Sequence, residues 1–132
     1  MKHYICRRCG DIVAMVNGGG ERLSCCSSRM EELTPKWEGQ GAEKHTPSME
    51  QFGNRVHIWL PHPMEREHRV DWICLVTDKG SQRKLLSPLG ESSADFYLDD
   101  GERVIRAFAY CNLHGLWVLD IAKNQEHRQS EK

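Results

Sequence analysis

Five residues of this chain have the types to build one metal centre: His45, His62, His68, Cys111 and His114. They occur in three short stretches, Glu43-Lys44-His45-Thr46-Pro47, His62-Pro63-Met64-Glu65-Arg66-Glu67-His68 and Cys111-Asn112-Leu113-His114-Gly115. Structural zinc sites usually close at four ligands, so four imidazoles and a thiolate are one too many. Five protein ligands leave one position of an octahedral metal open, which suits a redox-active iron that meets a small ligand. A thiolate pushes electron density onto the metal and onto whatever binds opposite it. Iron(II) with one thiolate and four neutral imidazoles carries a single net positive charge, and Lys44 adds another, so a small anion is drawn in. The chemistry that follows is inner-sphere electron donation to a small oxygen species. A plainer reading stands beside it: each histidine alone is a surface or satisfied polar group, and Cys111 a buried thiol like Cys74 in its apolar run.

A second set lies in the first 36 residues, which hold Cys6, Cys9, Cys25 and Cys26. Cys6-Arg7-Arg8-Cys9-Gly10 is a knuckle: two intervening residues let both sulfurs face one metal across a tight turn, and Gly10 is free to take a left-handed backbone. Its partner is the adjacent pair Cys25-Cys26, whose neighbouring side chains are expected to diverge and distort a tetrahedron. Four thiolates suit zinc or a single iron, and composition alone puts zinc ahead; disulfides are the weaker alternative in a reducing compartment.

These ligands need elements that aim them. His62 and His68 are six apart with Pro63 between, a poor spacing for a shared helical face that favours a loop turning both rings inward. His45, ahead of Thr46-Pro47, is expected to be extended. Cys111 and His114 share a turn at the end of a strand. Strand patterns cover 55–60, where Val56, Ile58 and Leu60 alternate onto one face, then 70–76, 94–98, 104–110 and 115–121. Trp59, Trp72 and Trp117 read as core, and His3, His57 and His127 as bystanders. The run 12–16 before Asn17-Gly18-Gly19-Gly20 reads as a small hairpin, and 35–42 as a linker. The organisation expected is a metal-stapled domain at 1–36, an antiparallel β-sandwich at 37–124 and a polar tail at 125–132. A net charge of −1 gives no basic field for nucleic acid, no apolar run approaches the roughly 20 residues that span a bilayer, and the first residues lack a signal-peptide core. A cytoplasmic protein is expected, its cysteines reading as metal ligands.

Taken together, from Tyr4 to about Leu119, these motifs resemble desulfoferrodoxin, the family of two-iron superoxide reductases. Cys6, Cys9, Cys25 and Cys26 match the ligands of its desulforedoxin-like, rubredoxin-type iron, which raises iron above zinc at this site. His45, His62, His68 and His114 match its four equatorial imidazoles and Cys111 its axial thiolate, with no departure at any ligand. Glu43 matches the glutamate that caps the ferric ion, and Lys44 the lysine that attracts superoxide and helps protonate the product. The resemblance implies a mostly β fold, a desulforedoxin-like knuckle followed by an immunoglobulin-like β-sandwich, in a homodimer. It implies one-electron reduction of superoxide to hydrogen peroxide, with a rubredoxin-like donor restoring the iron. A rubredoxin-like electron carrier and a zinc-stabilised interaction module are the competing readings. Dismutation ranks below reduction, because an axial thiolate stabilises Fe(III) against taking an electron back.

Overall fold

A computed structural model describes residues 1–121; the polar tail at 125–132 and His127 lie outside the described residues. The chain divides into two units, Met1–Thr34 and a second that starts at Pro35.

The first unit holds five short strands: β1 (His3–Ile5), β2 (Ile12–Ala14), β3 (Ser24–Cys25), β4 (Ser28–Arg29) and β5 (Glu31–Glu32). β1 is the middle strand of an antiparallel sheet ordered β2-β1-β5, and β3 pairs only with β4. The β1–β2 hairpin turns through the knuckle itself, closed by Cys6 N–H to Asp11 O (2.9 Å) and Gly10 N–H to Cys6 O (2.8 Å). Gly10 stands at φ 85° there. The hairpin expected around Asn17–Gly20 is therefore displaced: that segment bends away after β2, and the Tyr4 hydroxyl donates to the Gly19 carbonyl. β2 pairs instead with β1, whose three residues are all buried. The unit's own buried apolar residues are few, the cluster Tyr4, Cys6 and Met30 with Ile5 and Leu33, too little to hold so short a segment without a staple.

The second unit is a sandwich. After α1 (Ala42–His45) come β6 (Ser48–Phe52), β7 (Arg55–Trp59), β8 (Val70–Thr77), β9 (Gly80–Leu85), β10 (Ser93–Tyr97), β11 (Val104–Cys111) and β12 (Gly115–Asp120). They form a three-stranded sheet, β10-β7-β6, and a four-stranded sheet, β12-β11-β8-β9, with every pairing antiparallel. The alternation in β7 works as expected: Val56 and Ile58, with Leu60 just beyond, are buried with Val70, Ile73, Leu75, Phe96, Leu98, Ala107 and Ala109. Trp59 sits on the opposite face of β7 and is half-buried, so it is not core; it stacks on His57 at 5.4 Å. Trp72 is buried and stacks on Tyr110 at 5.6 Å. Cys74 is fully buried in β8.

β6 and β9 carried no strand signal in the sequence. Both are edge strands with mostly exposed residues, so neither needs apolar alternation, and polar side chains suit a strand with an open edge. The stretch 35–42 is not a free linker either. Lys36 forms a parallel bridge with Trp117, its N–H bonding Leu116 O (2.9 Å) and its carbonyl accepting from Val118 N–H (2.8 Å). Among the described residues no helix is long and apolar enough to cross a membrane.

Candidate metal centres

The four cysteine sulfurs of the first unit come together, each within 4.8 Å of the others. Cys9 Sγ lies 3.5 Å from Cys25 Sγ, and Cys25 Sγ lies 3.9 Å from Cys26 Sγ. A tetrahedral ion with metal–sulfur bonds of about 2.3 Å has sulfur–sulfur edges of about 3.8 Å. The vicinal pair therefore converges rather than diverging. The cause is the β3–β4 hairpin, whose two turn residues, Cys26 (φ 52°) and Ser27 (φ 62°), are both left-handed. That is the signature of a tight two-residue turn, and it swings the Cys26 side chain back beside Cys25. Backbone hydrogen bonds from Cys9 and Arg8 hold the Cys6 thiol down to about 6, while hydrogen bonding to Cys9, then to Cys6 and Cys26, pushes Cys25 up to about 12. Four adjacent sulfurs cannot all ionise alone; a cation that displaces the remaining protons resolves the conflict.

The five-residue set is built in the second unit from three separate elements. α1 is a single turn started by Gly41 (φ 88°) and ended at Thr46, which takes the extended conformation that Pro47 imposes on its predecessor. His45 is consequently helical, one residue short of the restricted position, and not extended as expected. The Gly41 carbonyl accepts from Lys44 N–H (3.1 Å), His45 N–H (3.2 Å) and the His45 ring Nδ1 (2.8 Å). His62 and His68 lie on a loop without regular structure, as Pro63 demands, drawn tight by Glu65 N–H to His68 O at 2.9 Å. Cys111 is the last residue of β11, and His114 sits in the turn to β12, where Cys111 pairs with Gly115.

Their ligand atoms all fall within 4.8 Å of one another. The four rings form a closed cycle with centroid separations of 4.7 Å (His45–His62), 4.6 Å (His62–His68), 5.0 Å (His68–His114) and 4.9 Å (His114–His45). Across the cycle His45 and His68 are 6.5 Å apart, whereas a square with sides of about 4.8 Å has a diagonal of about 6.8 Å. A tetrahedron would make all these separations equal. His45 Nε2 and His62 Nε2 approach to 3.2 Å, near the separation of about 3.0 Å for neighbours at right angles on one ion with bonds of about 2.1 Å. Cys111 Sγ joins at 3.6 Å from His114 Nδ1.

Hydrogen bonding decides which nitrogens face inward. His45 Nδ1–H donates to Gly41 O and His62 Nδ1–H to Pro63 O (2.7 Å), leaving both Nε2 lone pairs for a metal. His68 Nε2 is buried with no hydrogen-bond partner, a cost that a metal ion would remove. Burial holds His45 and His62 below the ordinary imidazole value against their backbone hydrogen bonds, and neighbouring rings add to the effect; for His45 so does Lys36. Both rings are thus kept neutral and ready to ligate. Glu43 and Lys44 are exposed on α1 beside buried His45. His57 stays outside, bound through Nδ1 to Asp95 at 2.7 Å, and His3 is buried in β1, outside both clusters.

Two family models cover almost the whole described chain: desulfoferrodoxin over residues 38–120 and the desulfoferrodoxin N-terminal domain over residues 1–33. The chain belongs to the desulfoferrodoxin family. A desulfoferrodoxin homolog of Archaeoglobus fulgidus is 39% identical over 120 residues, 89% of this chain and 94% of that protein. Desulfoferrodoxin of Nitratidesulfovibrio vulgaris is 37% identical over the same length and the same shares. The crystal structure of the superoxide reductase from Treponema pallidum superposes with a TM-score of 0.76 at 29% identity, covering 90% of this chain and 96% of that one.

Three supporting residues had no reading in the sequence or a different one. Trp117 is buried as expected, but one face stacks on His45 at 4.9 Å, so it is a wall of the centre as well as core. Asn112 ties the Cys111–His114 turn to the His68 loop: its Oδ1 accepts from Arg69 N–H (2.8 Å) and its Nδ2 donates to Glu67 O (2.9 Å). Gly41 leaves room for the His45 ring. Its position just before Glu43-Lys44-His45 was the one available signal, since a glycine there allows the left-handed start of the turn.

Proposed function

We propose that this chain is a superoxide reductase, passing one electron to superoxide so that two protons complete hydrogen peroxide. The observation that carries the reading is the square of four imidazoles joined by the Cys111 sulfur, a donor set suited to six-coordinate iron and not to tetrahedral zinc. Iron held there would supply the electron as a one-electron ferrous/ferric couple. The chain's own residues do the rest. Cys111 would hold the iron through its sulfur, and its thiolate would lend the metal electron density. His45, His62, His68 and His114 add no negative charge, so a divalent ion held there with one thiolate would keep a net positive charge that attracts the superoxide anion. Lys44, exposed beside His45, adds to that field and organises the water that delivers protons, and Glu43, exposed on the same turn, would be the carboxylate available to the oxidised metal. Lys44→Ala should slow superoxide capture and flatten its dependence on ionic strength without loss of iron.

A second iron at Cys6, Cys9, Cys25 and Cys26 contributes folding energy to a unit with little core of its own. Four thiolates stay ligand-competent only where they stay reduced, which supports a cytoplasmic location. The electron donor is a small rubredoxin-like carrier, and the protein is a homodimer. An exposed row across the outer sheet, Phe52 and Tyr97 flanking Arg55, offers apolar surface for that contact.

Rapid mixing of prereduced, iron-loaded protein with superoxide tests the function. The ferrous centre should be oxidised in a single bimolecular phase. A centre that superoxide leaves reduced would refute the reading.

A further inference from the structure

We propose that Lys36 is a positioning residue of the five-ligand centre, its ammonium acting through the Trp117 ring on His45 and through the His114 carbonyl on His114, so that it raises the centre's reduction potential. The inference rests on iron occupying that centre.

Two contacts carry it. Lys36 Nζ stands 5.4 Å from the Trp117 ring centroid, and Trp117 stacks on His45 with ring planes 21° apart. Lys36 Nζ also donates to the His114 carbonyl at 3.2 Å, which accepts from Trp117 Nε1 at the same distance. One lysine thus touches the immediate neighbours of two of the four imidazoles. Its backbone is fixed by two hydrogen bonds around Trp117, so the stem starts from a defined place even though the side chain is exposed. Trp117 is only 3% exposed, which keeps water out of the path from the cation to the His45 ring. A charge across a buried aromatic ring is screened less than one across solvent.

The sign follows from electrostatics. A fixed positive charge opposes the gain of positive charge when the centre is oxidised, so Lys36 favours the ferrous state. The donor then recharges the centre more easily, at some cost in driving force toward superoxide. Lys44 and Lys36 divide the work: Lys44 acts on the approaching anion, and Lys36 on the resting poise of the metal.

Anaerobic redox titration of the holoprotein, without superoxide, tests this at low and at high ionic strength. The variants are Lys36→Met, which keeps the stem and removes the charge, and Lys36→Arg, which keeps the charge. At the parent's midpoint, Lys36→Met should show an oxidised-to-reduced ratio raised on the order of threefold at low salt, about 28 mV for a one-electron couple. The difference should shrink at high salt, and Lys36→Arg should track the parent. A parent-like midpoint in Lys36→Met overturns the proposal. An equal shift in Lys36→Arg also overturns it, because packing and not charge would then be responsible. Loss of iron from Lys36→Met overturns it too, since a residue that only tunes the centre is not needed to build it. A centre that dismutates superoxide would defeat the proposed function and leave these midpoints as they are.

Discussion

Gly41→Ala should weaken the five-ligand centre far more than its one added carbon suggests. Gly41 stands at φ 88°, where an L-residue costs about 1–2 kcal/mol. A Cβ built there lies 3.3 Å from His45 Nδ1 and 4.0 Å from the Trp117 ring, so His45 must give way while Trp117 holds its other side. Moving the ring strains the 2.8 Å bond from Nδ1 to the Gly41 carbonyl, a contact worth about 0.5–1.5 kcal/mol. The first cost falls on the fold; the second falls on the ligand and corresponds to roughly 2- to 13-fold weaker iron retention. Gly39→Ala is the control. Gly39 has a similar φ of 93° but nothing within 4 Å of the built Cβ, so it bears the backbone cost without touching a ligand. Chelator competition against ferrous protein, with thermal unfolding measured in parallel, separates the two. Gly39→Ala should lower thermal stability and keep the parent's iron affinity; Gly41→Ala should lose both. Iron retention in Gly41→Ala within twofold of the parent would show that His45 is not held as described.

Asn112→Ala removes two hydrogen bonds between the Cys111–His114 turn and the His68 loop, together worth about 1–3 kcal/mol. Iron dissociation at the five-ligand centre should quicken by about tenfold or more while the spectrum of the four-cysteine site stays unchanged, and equal dissociation rates would contradict the link. Cys111→Ser should keep the sandwich, at a cost of about 1–2 kcal/mol for its buried hydroxyl, and lose the thiolate-to-iron absorption with most of the activity. Turnover equal to the parent would remove Cys111 from the axial role. Acid should release this iron. His45 and His62 titrate below their ordinary value of about 6.5, so the unfolded, metal-free chain binds more protons there than the folded one. Stability from these groups is complete above about 6.5 and is lost as pH falls through their lowered folded values, which chelator-trapped iron would follow; flat release across that range would contradict the assignment.

The ligands were legible because metal chemistry writes itself in residue type and short spacing: a knuckle, a vicinal pair, a proline-broken His-to-His loop and a Cys-to-His turn. The inner faces of the central strands were legible too, since Val56, Ile58 and Leu60 must alternate to be buried. What escaped depends on partners far away in the chain. The hairpin turn of the first unit went to the knuckle, where β1 pairs with β2 across Cys6–Gly10. The convergence of Cys25 and Cys26 needs two successive left-handed residues, which non-glycine residues adopt only when the surroundings impose it. β6 and β9 carry no pattern because an edge strand needs none. Lys36 and Trp117 meet through a bridge between opposite ends of the second unit, and no local rule connects them.

The imidazole square and its thiolate are suited to reducing superoxide and not to dismutating it. Hydrogen peroxide formed per superoxide consumed tests it most directly, measured on iron-loaded protein with excess reductant, no catalase and the spontaneous background subtracted. Reduction predicts a ratio approaching one. A ratio near one half would mean that the oxidised centre takes an electron back from a second superoxide, and the role given to Cys111 would be wrong.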